Sequence, residues 1–480
     1  MKQDHIIQKV FVEITVNSKE KAYRIKDDIS SFLSMNVFQE IEKYLNSLEY
    51  KLAGRTLQIP RLELNLDVNN SELNAELKDK IAQLFKEELS EVSNPLGKSD
   101  QESEDYSKAS LIGNQEKILQ TFIFFLENGY MPWWNSEKKG VRFLEPNVFE
   151  SLISDNNFSK SIVPVLSKKN VQERIINQLS DEQISQLCLA VLKNKELEIN
   201  LEADVIHHIS KLNYDNRTII WRLVLSVISE YLAVSNNNLR EYLLQQISKA
   251  PLAGLSKVKD NRKNWITLVE IFPFIEKKEI LEIIENNKIN NHENLIDSTE
   301  IIHQQNEEIR KETSQNEGQY VQNAGLILIH PFIKTLFEYC DLLDLKTMQL
   351  TDPELCAHLL HYIATGNTKA PEYDMIFEKF LCNIPLNQTI NRHLKLSRKH
   401  KTQAKNVIES VQYNWAPMKK SSAALLQNEF FQRSGKLVIT DYEYNLTVER
   451  KTQDILLDKL GWGIGLVKLP WKEKFILVNW

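Results

Sequence analysis

The sequence is poor in cysteine, which argues against a fold held together by disulfide bonds. Only four cysteines occur in 480 residues. They form no Cys-x-x-Cys pair, and each lies inside an apolar stretch with helical spacing. Thiols in such a setting are typical of reduced, buried side chains in a cytoplasmic protein. We therefore expect free thiols and no disulfide framework.

A dominant charge of one sign and long apolar runs are also absent. The formal net charge is −6, with 26% charged residues of both signs, which argues against a general nucleic-acid or membrane-surface binder. The start, "MKQDHIIQKVFVEITV", has a short alternating stretch with charges inside it, which suits neither a signal peptide nor a membrane span. We expect a protein made in the cytoplasm that has no cleaved export signal and does not interact with membranes.

The common motifs of catalysis and cofactor binding are missing. There is no G-x-x-x-x-G-K-[ST], no G-x-G-x-x-G after a strand and no G-x-S-x-G. In "CAHLLH", Cys356 and His358 lie ~200° apart on a helix, and a zinc site with His361 would need a further ligand. The glycines of "GWGIG" (461–465) lie in a strand-like segment with no helix after it, which favours a structural role. The sequence therefore predicts no enzyme, no catalytic residue, no metal site and no cofactor.

Residues 1–92 predict a small N-terminal β-α-β-α module. Apolar side chains alternate in "VFVEITV" (10–16) and in "RLELNLDV" (61–68), which indicates two half-buried strands. Apolar residues at helical spacing lie between these strands, and a further helix is expected from about Ser71 to Leu89. Residues 93–108 then read as a linker.

The rest of the chain predicts helices first and strands last. Residues 109–284 carry leucine and isoleucine three and four residues apart, interrupted by prolines and without a fixed repeat, which predicts an irregular helical spacer. Residues 285–320 are rich in Asn, Gln and Glu, which predicts a flexible linker. Residues 321–480 predict an α+β domain, with a hairpin turning at Tyr442–Asn445 and two further strand-like segments.

The predicted fold class is therefore α+β and predominantly α-helical. It combines the small N-terminal β-α-β-α module, the irregular helical array and a C-terminal α+β domain with a β-rich tail.

Two sets of residues are candidates for binding a partner. The segment "NRHLKLSRKHKTQAK" contains no acid, and its cations are Arg392, Lys395, Arg398, Lys399, Lys401 and Lys405. Interleaved aromatics are absent, which favours a solvated helical face or a docking patch for an acidic partner over nucleic acid. The tryptophans Trp471 and Trp480 lie near or within strand-like segments and are either core residues or partner-binding anchors.

The stretch "LENGYMPWW" ends a helix, because Gly129 and Pro132 both stop helices. Exposed adjacent tryptophans could bind a sugar, a base or a partner. The favoured interpretation is that Trp133 and Trp134 fold back and pack the corner between this helix and the next.

Several blocks of the sequence resemble those of contractile injection system tape measure proteins, which belong to phage-tail-like particles that bacteria build to deliver toxins. The blocks are "HIIQKVFVEITVNSKEKAYRIKDDIS", "IPRLELNLD", "FLENGYMPWW", "LILIHPFIKTLFEYCDLL", "HLLHYIATGNTKAPEYDMIFEKFLCNIPLN" and "NEFFQRSGKL…LTVERKTQDILLDKLGWGIGLVKLPW". Structural motif residues in these blocks are Pro132, Trp133, Trp134, His330, Pro331, Gly461, Trp462, Gly463 and Pro470.

The resemblance implies a structural assembly protein that sets the length of the inner tube and hence of the sheath. It would lie in the tube lumen near the baseplate, as an oligomer in contact with inner tube and baseplate or spike proteins, after assembly in the cytoplasm. The alternative is a cytoplasmic helical adaptor or chaperone for assembly or cargo loading. The ~190 residues between the terminal domains would span at most about 290 Å as one ideal helix. This implies a short particle, a chain that extends during assembly, or a shared ruler role.

Overall fold

The structure is a computed structural model that describes residues 5–16, 18–52, 54–67, 73–93, 110–135, 142–193, 195–233, 238–249, 267–290 and 318–480. The chain divides into two compact units, Met1–Gln120 and Thr121–Trp480. We call them the N-terminal unit and the second unit. Residues 94–108 of the first predicted linker and 291–317 of the second lie outside the described residues.

The N-terminal unit is built from helices and one small ladder. Its helices are α1 (Lys19–Phe32), α2 (Phe38–Leu52) and α3 (Ala75–Ser93), and a π-helical turn (Leu33–Val37) joins the first two. Strand β1 (Thr56–Gln58) pairs antiparallel with β2 (Ser110–Ile112). A small core of Phe32, Val37 and Ile41 holds the helices together.

The two strands predicted from alternation in this unit are wrong. Residues 10–16 and 61–67 pair with no strand among the described residues, and the ladder of this unit runs instead through β1 and β2. Leu62, Leu64 and Leu66 are half-buried between exposed neighbours, whereas Phe11 is 81% exposed. Alternation thus gives residues 61–67 an apolar side, but a strand also needs a hydrogen-bonded neighbour, which alternation does not specify.

The described residues between 121 and 290 form what we call the helical array. Its helices are α4 (Asn114–Asn128, which begins in the N-terminal unit), α5 (Pro146–Ile153), α6 (Phe158–Leu166), α7 (Lys169–Gln178), α8 (Asp181–Val191), α9 (Ala203–Ser210), α10 (Tyr214–Ala233), α11 (Leu239–Lys249) and α12 (Lys277–Asn290). Local signals fix their ends: Pro146 opens α5, and the Ser180 hydroxyl accepts the Gln183 N–H to cap α8. The array buries a row of aliphatic and aromatic side chains that includes Phe149, Ile175 and Trp221.

Residues 318–480 form what we call the C-terminal body. Its helices are α13 (His330–Tyr339), α14 (Pro353–Thr365), α15 (Ile376–Leu381), α16 (Arg398–Asn414) and α17 (Ala423–Leu426). Its strands are β3 (Gln319–Val321), β4 (Leu343–Asp344), β5 (Gln349–Leu350), β6 (Gly435–Ile439), β7 (Tyr444–Val448), β8 (Leu466–Val467) and β9 (Ile476–Asn479). Five of them form one sheet in the order β3-β6-β7-β9-β8, and β4 pairs with β5.

The strands of the β-rich tail lie close to where the sequence predicts them. The predicted hairpin is confirmed as the antiparallel pair β6 and β7, and the two further strand-like segments supply β8 and β9. The predicted turn is wrong in position, because Tyr444 and Asn445 already pair within β7 and the turn lies at residues 440–443. Thr440 closes it, since its backbone N–H donates to the Glu443 carbonyl (3.1 Å).

Helices dominate and the sheets are small, which confirms the predicted α+β, predominantly α-helical fold class. Within the described ranges, no helix is both long enough and apolar enough to span a bilayer.

Candidate functional site

A fully buried ionic cluster of Arg174, Glu372 and Lys379 lies inside the second unit. Arg174 comes from α7 of the helical array, whereas the other two residues come from the C-terminal body. The Arg174 Nε–H donates to Glu372 Oε2 (3.1 Å), and Lys379 Nζ donates to Glu372 Oε1 (2.7 Å). All three side chains are 0% exposed. One carboxylate therefore bridges two cations that come from different parts of the fold.

Backbone carbonyls satisfy the remaining donors of the cluster. Lys379 Nζ also donates to the carbonyls of Leu386 (2.7 Å) and Gln388 (2.5 Å), so each of its three N–H groups meets an oxygen. The Arg174 guanidinium donates in addition to the carbonyls of Leu126 (2.6 Å) and Asn387. Burial lowers the pKa of Lys379, while the Glu372 carboxylate opposes that shift. Three oxygen acceptors fit an ammonium group, so we describe Lys379 as charged.

The "LENGYMPWW" stretch shapes one wall of this cluster. Gly129 has a left-handed backbone (φ +84°), and a Cβ atom there would lie 2.5 Å from Glu372 Oε1 and 2.8 Å from Arg174 Nη2. Only glycine combines this conformation with such close contact. The Phe125 ring lies 6.0 Å from the Arg174 guanidinium carbon. Two of the quoted blocks, "FLENGYMPWW" and the block with Glu372 and Lys379, thus meet at the cluster.

Further hydrogen bonds join the helical array to the C-terminal body beside the cluster. The Gln178 side chain accepts the Glu372 backbone N–H (2.9 Å) and donates to the Ile390 carbonyl (2.7 Å). The Arg392 backbone N–H donates to the Asn177 carbonyl (3.2 Å), and its guanidinium donates to the Gln178 carbonyl (3.3 Å). We call Arg174, Gln178, Glu372, Lys379 and Arg392 together the polar seam.

A second buried network lies within the C-terminal body. His361 Nδ1 donates to Glu378 Oε1 (2.8 Å), and the Asn323 amide donates to the same oxygen (2.8 Å). His358 faces elsewhere and donates through Nε2 to the Asn391 carbonyl (2.9 Å), while burial lowers its pKa to about 4. Among the described residues, no group of three or more His, Cys, Asp or Glu side chains could hold a metal ion. The histidines of "CAHLLH" therefore serve packing and hydrogen bonding in this structure.

Trp133 and Trp134 lie at the end of α4 in a single 3₁₀ turn, Trp133–Asn135. Their rings meet edge to face with centroids 5.7 Å apart, and the Trp134 ring meets Phe124 of α4 in the same way at 5.6 Å. Both indoles are half-buried and Pro132 is buried. The structure therefore places these three residues at the helix corner.

The blocks "LILIHPF" and "LGWGIG" contact each other directly. His330 Nε2 donates to the Gly463 carbonyl (3.0 Å), and Trp462 Nε1 donates to the Leu328 carbonyl (3.0 Å). The Trp462 ring also packs edge to face on Phe332 at 5.4 Å. Burial lowers the pKa of His330. Pro331, Gly461, Gly463 and Pro470 are exposed.

The structure separates the candidate tryptophans. Trp471 is 3% exposed, and its Nε1 donates to the Leu381 carbonyl (2.8 Å), so its indole belongs to the core of the C-terminal body. Trp480 is half-buried and donates through Nε1 to Asp454 Oδ2 (3.0 Å). Asp454 in turn pairs with the buried Arg433 (2.7 Å), so Asp454 links Trp480 to a buried cation.

The candidate cations also separate into groups. Arg392 is half-buried in the polar seam, whereas Lys395, Arg398, Lys399, Lys401 and Lys405 are exposed. Lys399 pairs with Asp341, and Lys405 pairs with Glu409. We call Lys395, Arg398 and Lys401 the basic triplet. It forms no ion pair within the part of the chain that the structure describes.

The ionic cluster does not follow from the sequence patterns above, although the sequence contains one signal of it. Val171, Arg174, Ile175 and Gln178 share one helical face by their spacing, and all four are buried. A charged residue on a helical face that also carries apolar residues such as Val171 and Ile175 indicates a buried polar partner. That partner, Glu372, lies 198 residues further along the chain.

One family comparison agrees with the resemblance of the sequence blocks. The family model of the contractile injection system tape measure protein matches residues 4–480. The chain therefore belongs to the contractile injection system tape measure proteins. A search of curated proteins and a search of solved structures each returned no match.

Proposed function

We propose that this chain sets the length of the inner tube, and hence of the sheath, of a contractile injection particle. The family match over residues 4–480 is the observation that carries this proposal. In this role the chain lies as an oligomer in the tube lumen with one end near the baseplate spike, after assembly in the cytoplasm. It acts as a structural component rather than as an enzyme.

The proposal extends to a docking surface. Arg398 and Lys401 lie at the start of α16, where the aligned peptide dipoles disfavour cations, and Lys395 lies just before this helix. Its exposed cations suit an acidic surface on a tube or baseplate subunit, because complementary charge steers and orients association. Trp480 is less suited to this role, since its indole N–H is already bound to Asp454.

Changing the length of the helical array tests the ruler role. Duplicating residues 203–233, which contain α9 and α10, should lengthen every tube by a constant increment of at most about 47 Å at 1.5 Å per residue. The control is an insertion of equal length after Asp441, in the hairpin turn beside Tyr442, which is 90% exposed. This insertion should leave tube length unchanged, as measured by electron microscopy of purified particles.

Two outcomes would contradict the proposal. Particles that contain the lengthened chain but have tubes of normal length would refute the ruler role. Finished particles that lack the chain altogether would favour the adaptor or chaperone role, since an adaptor is left behind when assembly ends.

A further inference from the structure

The second unit contains two separate apolar interiors. The buried members of the core cluster of the C-terminal body all lie between Val321 and Ile476. Among the described residues of the helical array, only the half-buried Tyr130 packs against that cluster. The array buries its own side chains, such as Phe149, Ile175 and Trp221. Each part therefore has the apolar burial that a folded body needs.

Among the described residues, the hydrogen bonds and ion pairs of the polar seam join the two parts. Apolar contacts also join them, because Tyr130 packs on the core of the C-terminal body and Tyr373 packs on Phe125 and Phe143 with centroids 5.2 Å apart. Opening an apolar interface exposes hydrocarbon to water, whereas opening an ionic interface returns the charges to water and recovers their hydration. A polar contact therefore costs less to open than an apolar contact of the same area.

We propose that the helical array and the C-terminal body open along the polar seam as two folded bodies, and that the cluster of Arg174, Glu372 and Lys379 is the latch that keeps them closed. The cluster suits this role because its parts come from both bodies and depend on one carboxylate. When Arg174 leaves, the Asn387 carbonyl of the C-terminal body loses its donor, and Gln178 of the same helix moves away from the Glu372 backbone N–H. The latch therefore closes or opens as one step.

This opening would let the two bodies lie end to end, which increases the reach of a short chain. Opening at the seam is a property of the isolated full-length protein. It is therefore independent of the ruler role, which concerns the length of the tube. Tube length and seam opening are measured separately, so the two proposals can fail independently.

Hydrogen exchange of the full-length protein tests the proposal directly. The backbone N–H groups of Glu372 and Arg392 donate across the seam and report its opening. The N–H groups of Leu192 and Trp415 lie within the array and the C-terminal body and serve as references. In the wild-type protein the two seam amides should exchange together, and faster than both references.

Removing the latch should speed only the seam amides. Arg174→Met leaves Glu372 short of a partner, and breaking a buried ion pair is strongly destabilising, so the seam amides should exchange roughly 100-fold faster or more. The Leu192 and Trp415 amides should keep their wild-type rates. The matched control is Arg217→Met, because Arg217 pairs with Asp181 (2.7 Å) and binds two carbonyls entirely within the array. Arg217→Met should leave the seam amides unchanged.

A single cooperative unit would overturn the proposal. In that case seam and reference amides would exchange at one common rate, and Arg174→Met would speed all of them equally. If Arg174→Met fails to fold, the exchange rates of seam and reference amides are compared in Gln178→Leu instead. This substitution removes two hydrogen bonds across the seam without leaving an unpaired charge. Equal acceleration of seam and reference amides in Gln178→Leu would likewise refute the latch.

Discussion

Similar sequence patterns adopt different structures in the N-terminal unit and in the C-terminal body. Both contain short stretches in which apolar and polar residues alternate. In the C-terminal body these stretches pair in a five-stranded sheet and bury Leu437, Leu446 and Ile476. In the N-terminal unit, residues 10–16 leave Val10, Val12 and Ile14 each more than 40% exposed. Alternation thus determines which side chains share a face. Whether these side chains are buried depends on whether another part of the protein packs on that face.

Polar groups show the same contrast. The charged contacts of the N-terminal unit lie at its surface, such as the pair of Arg24 and Glu20, whose side chains are 79% and 82% exposed. Surface pairs of this kind contribute little to stability. In the C-terminal body, Arg433 and Lys472 are buried and each has a specific partner. We infer that substitutions in the C-terminal body have larger effects than matched substitutions in the N-terminal unit.

The largest effect should come from a close backbone contact in the C-terminal body. A Cβ atom added at Gly325 would lie 1.7 Å from the Phe430 carbonyl oxygen, which is backbone and cannot rotate away. Overpacking commonly costs 1–3 kcal/mol, so we expect Gly325→Ala to cost at least about 3 kcal/mol. Urea unfolding followed by tryptophan fluorescence measures this, because every tryptophan of the chain lies between residues 133 and 480.

Two other glycines serve as controls for that substitution. A Cβ atom at Gly463 of the C-terminal body or at Gly113 of the N-terminal unit would meet nothing within 4 Å. Gly463→Ala and Gly113→Ala should each change the free energy of unfolding by about 0.5 kcal/mol or less. Circular dichroism follows the Gly113→Ala protein, because the N-terminal unit contains no tryptophan. A Gly325→Ala protein as stable as these two would show that the contact with Phe430 relaxes freely.

The sequence predicts those parts of the fold that depend on neighbours along the chain. The hairpin of β6 and β7 is such a part, because only residues 440–443 separate the two strands. The strands expected at residues 10–16 and 61–67 depended on distant pairing and were wrong. The ionic cluster was missed for the same reason, since neither Arg174 nor Glu372 reveals a partner 198 residues away.

The family blocks carried information that spacing alone did not. "LILIHPF" and "LGWGIG" belong to two different blocks of the sequence, and the structure joins them through His330 and Gly463. The sequence predicts that Gly129 ends a helix, and the structure shows that it also makes room for Glu372 and Arg174. A side-chain role of this kind becomes visible only when the opposing residues are known, because a glycine has no side chain of its own to indicate what it contacts.

A pH-dependent effect should distinguish buried from exposed lysines. Lys472 is 5% exposed, and burial lowers its pKa to about 8 from an ordinary value of 10.5. Between these values the unfolded chain holds more protons than the folded one, so stability should rise with pH across this window. The rings of Phe380 (3.8 Å) and Tyr444 (4.9 Å) favour the cation and reduce the effect. We expect a gain of about 1–3 kcal/mol for the wild-type protein relative to Lys472→Met.

Thermal unfolding at pH 7.5 and 9.5 measures this difference, because comparing the two proteins removes the pH effects that they share. The control is Lys86→Met in the N-terminal unit, where the exposed Lys86 lies 5.4 Å from the Tyr44 ring centroid. It should show no pH-dependent difference from the wild-type protein. A constant difference between wild type and Lys472→Met at both pH values would contradict the shifted pKa.

Reversing the charges of the basic triplet should have the smallest effect on stability. It should nevertheless abolish incorporation of the chain into particles. Changing Lys395, Arg398 and Lys401 together to glutamate reverses the surface that we propose docks on an acidic tube or baseplate subunit. Arg398 and Lys401 lie in the first turn of α16, where carboxylates interact favourably with the helix dipole, by about 0.3–1 kcal/mol each. The variant should therefore be at least as stable as the wild-type protein, and lost incorporation could not be attributed to misfolding.

Incorporation is measured as the amount of this chain per purified particle, assembled at low and at physiological salt. The triple reversal should abolish incorporation, and salt should weaken that of the wild-type protein because screening acts over ~8 Å at physiological ionic strength. In the control, Lys19, Lys21 and Lys26 are changed together to glutamate. These lysines are exposed on α1 of the N-terminal unit. The control alters net charge equally and should incorporate normally. Normal incorporation of the basic-triplet variant would refute the docking surface, whereas loss in both variants would assign the effect to overall charge.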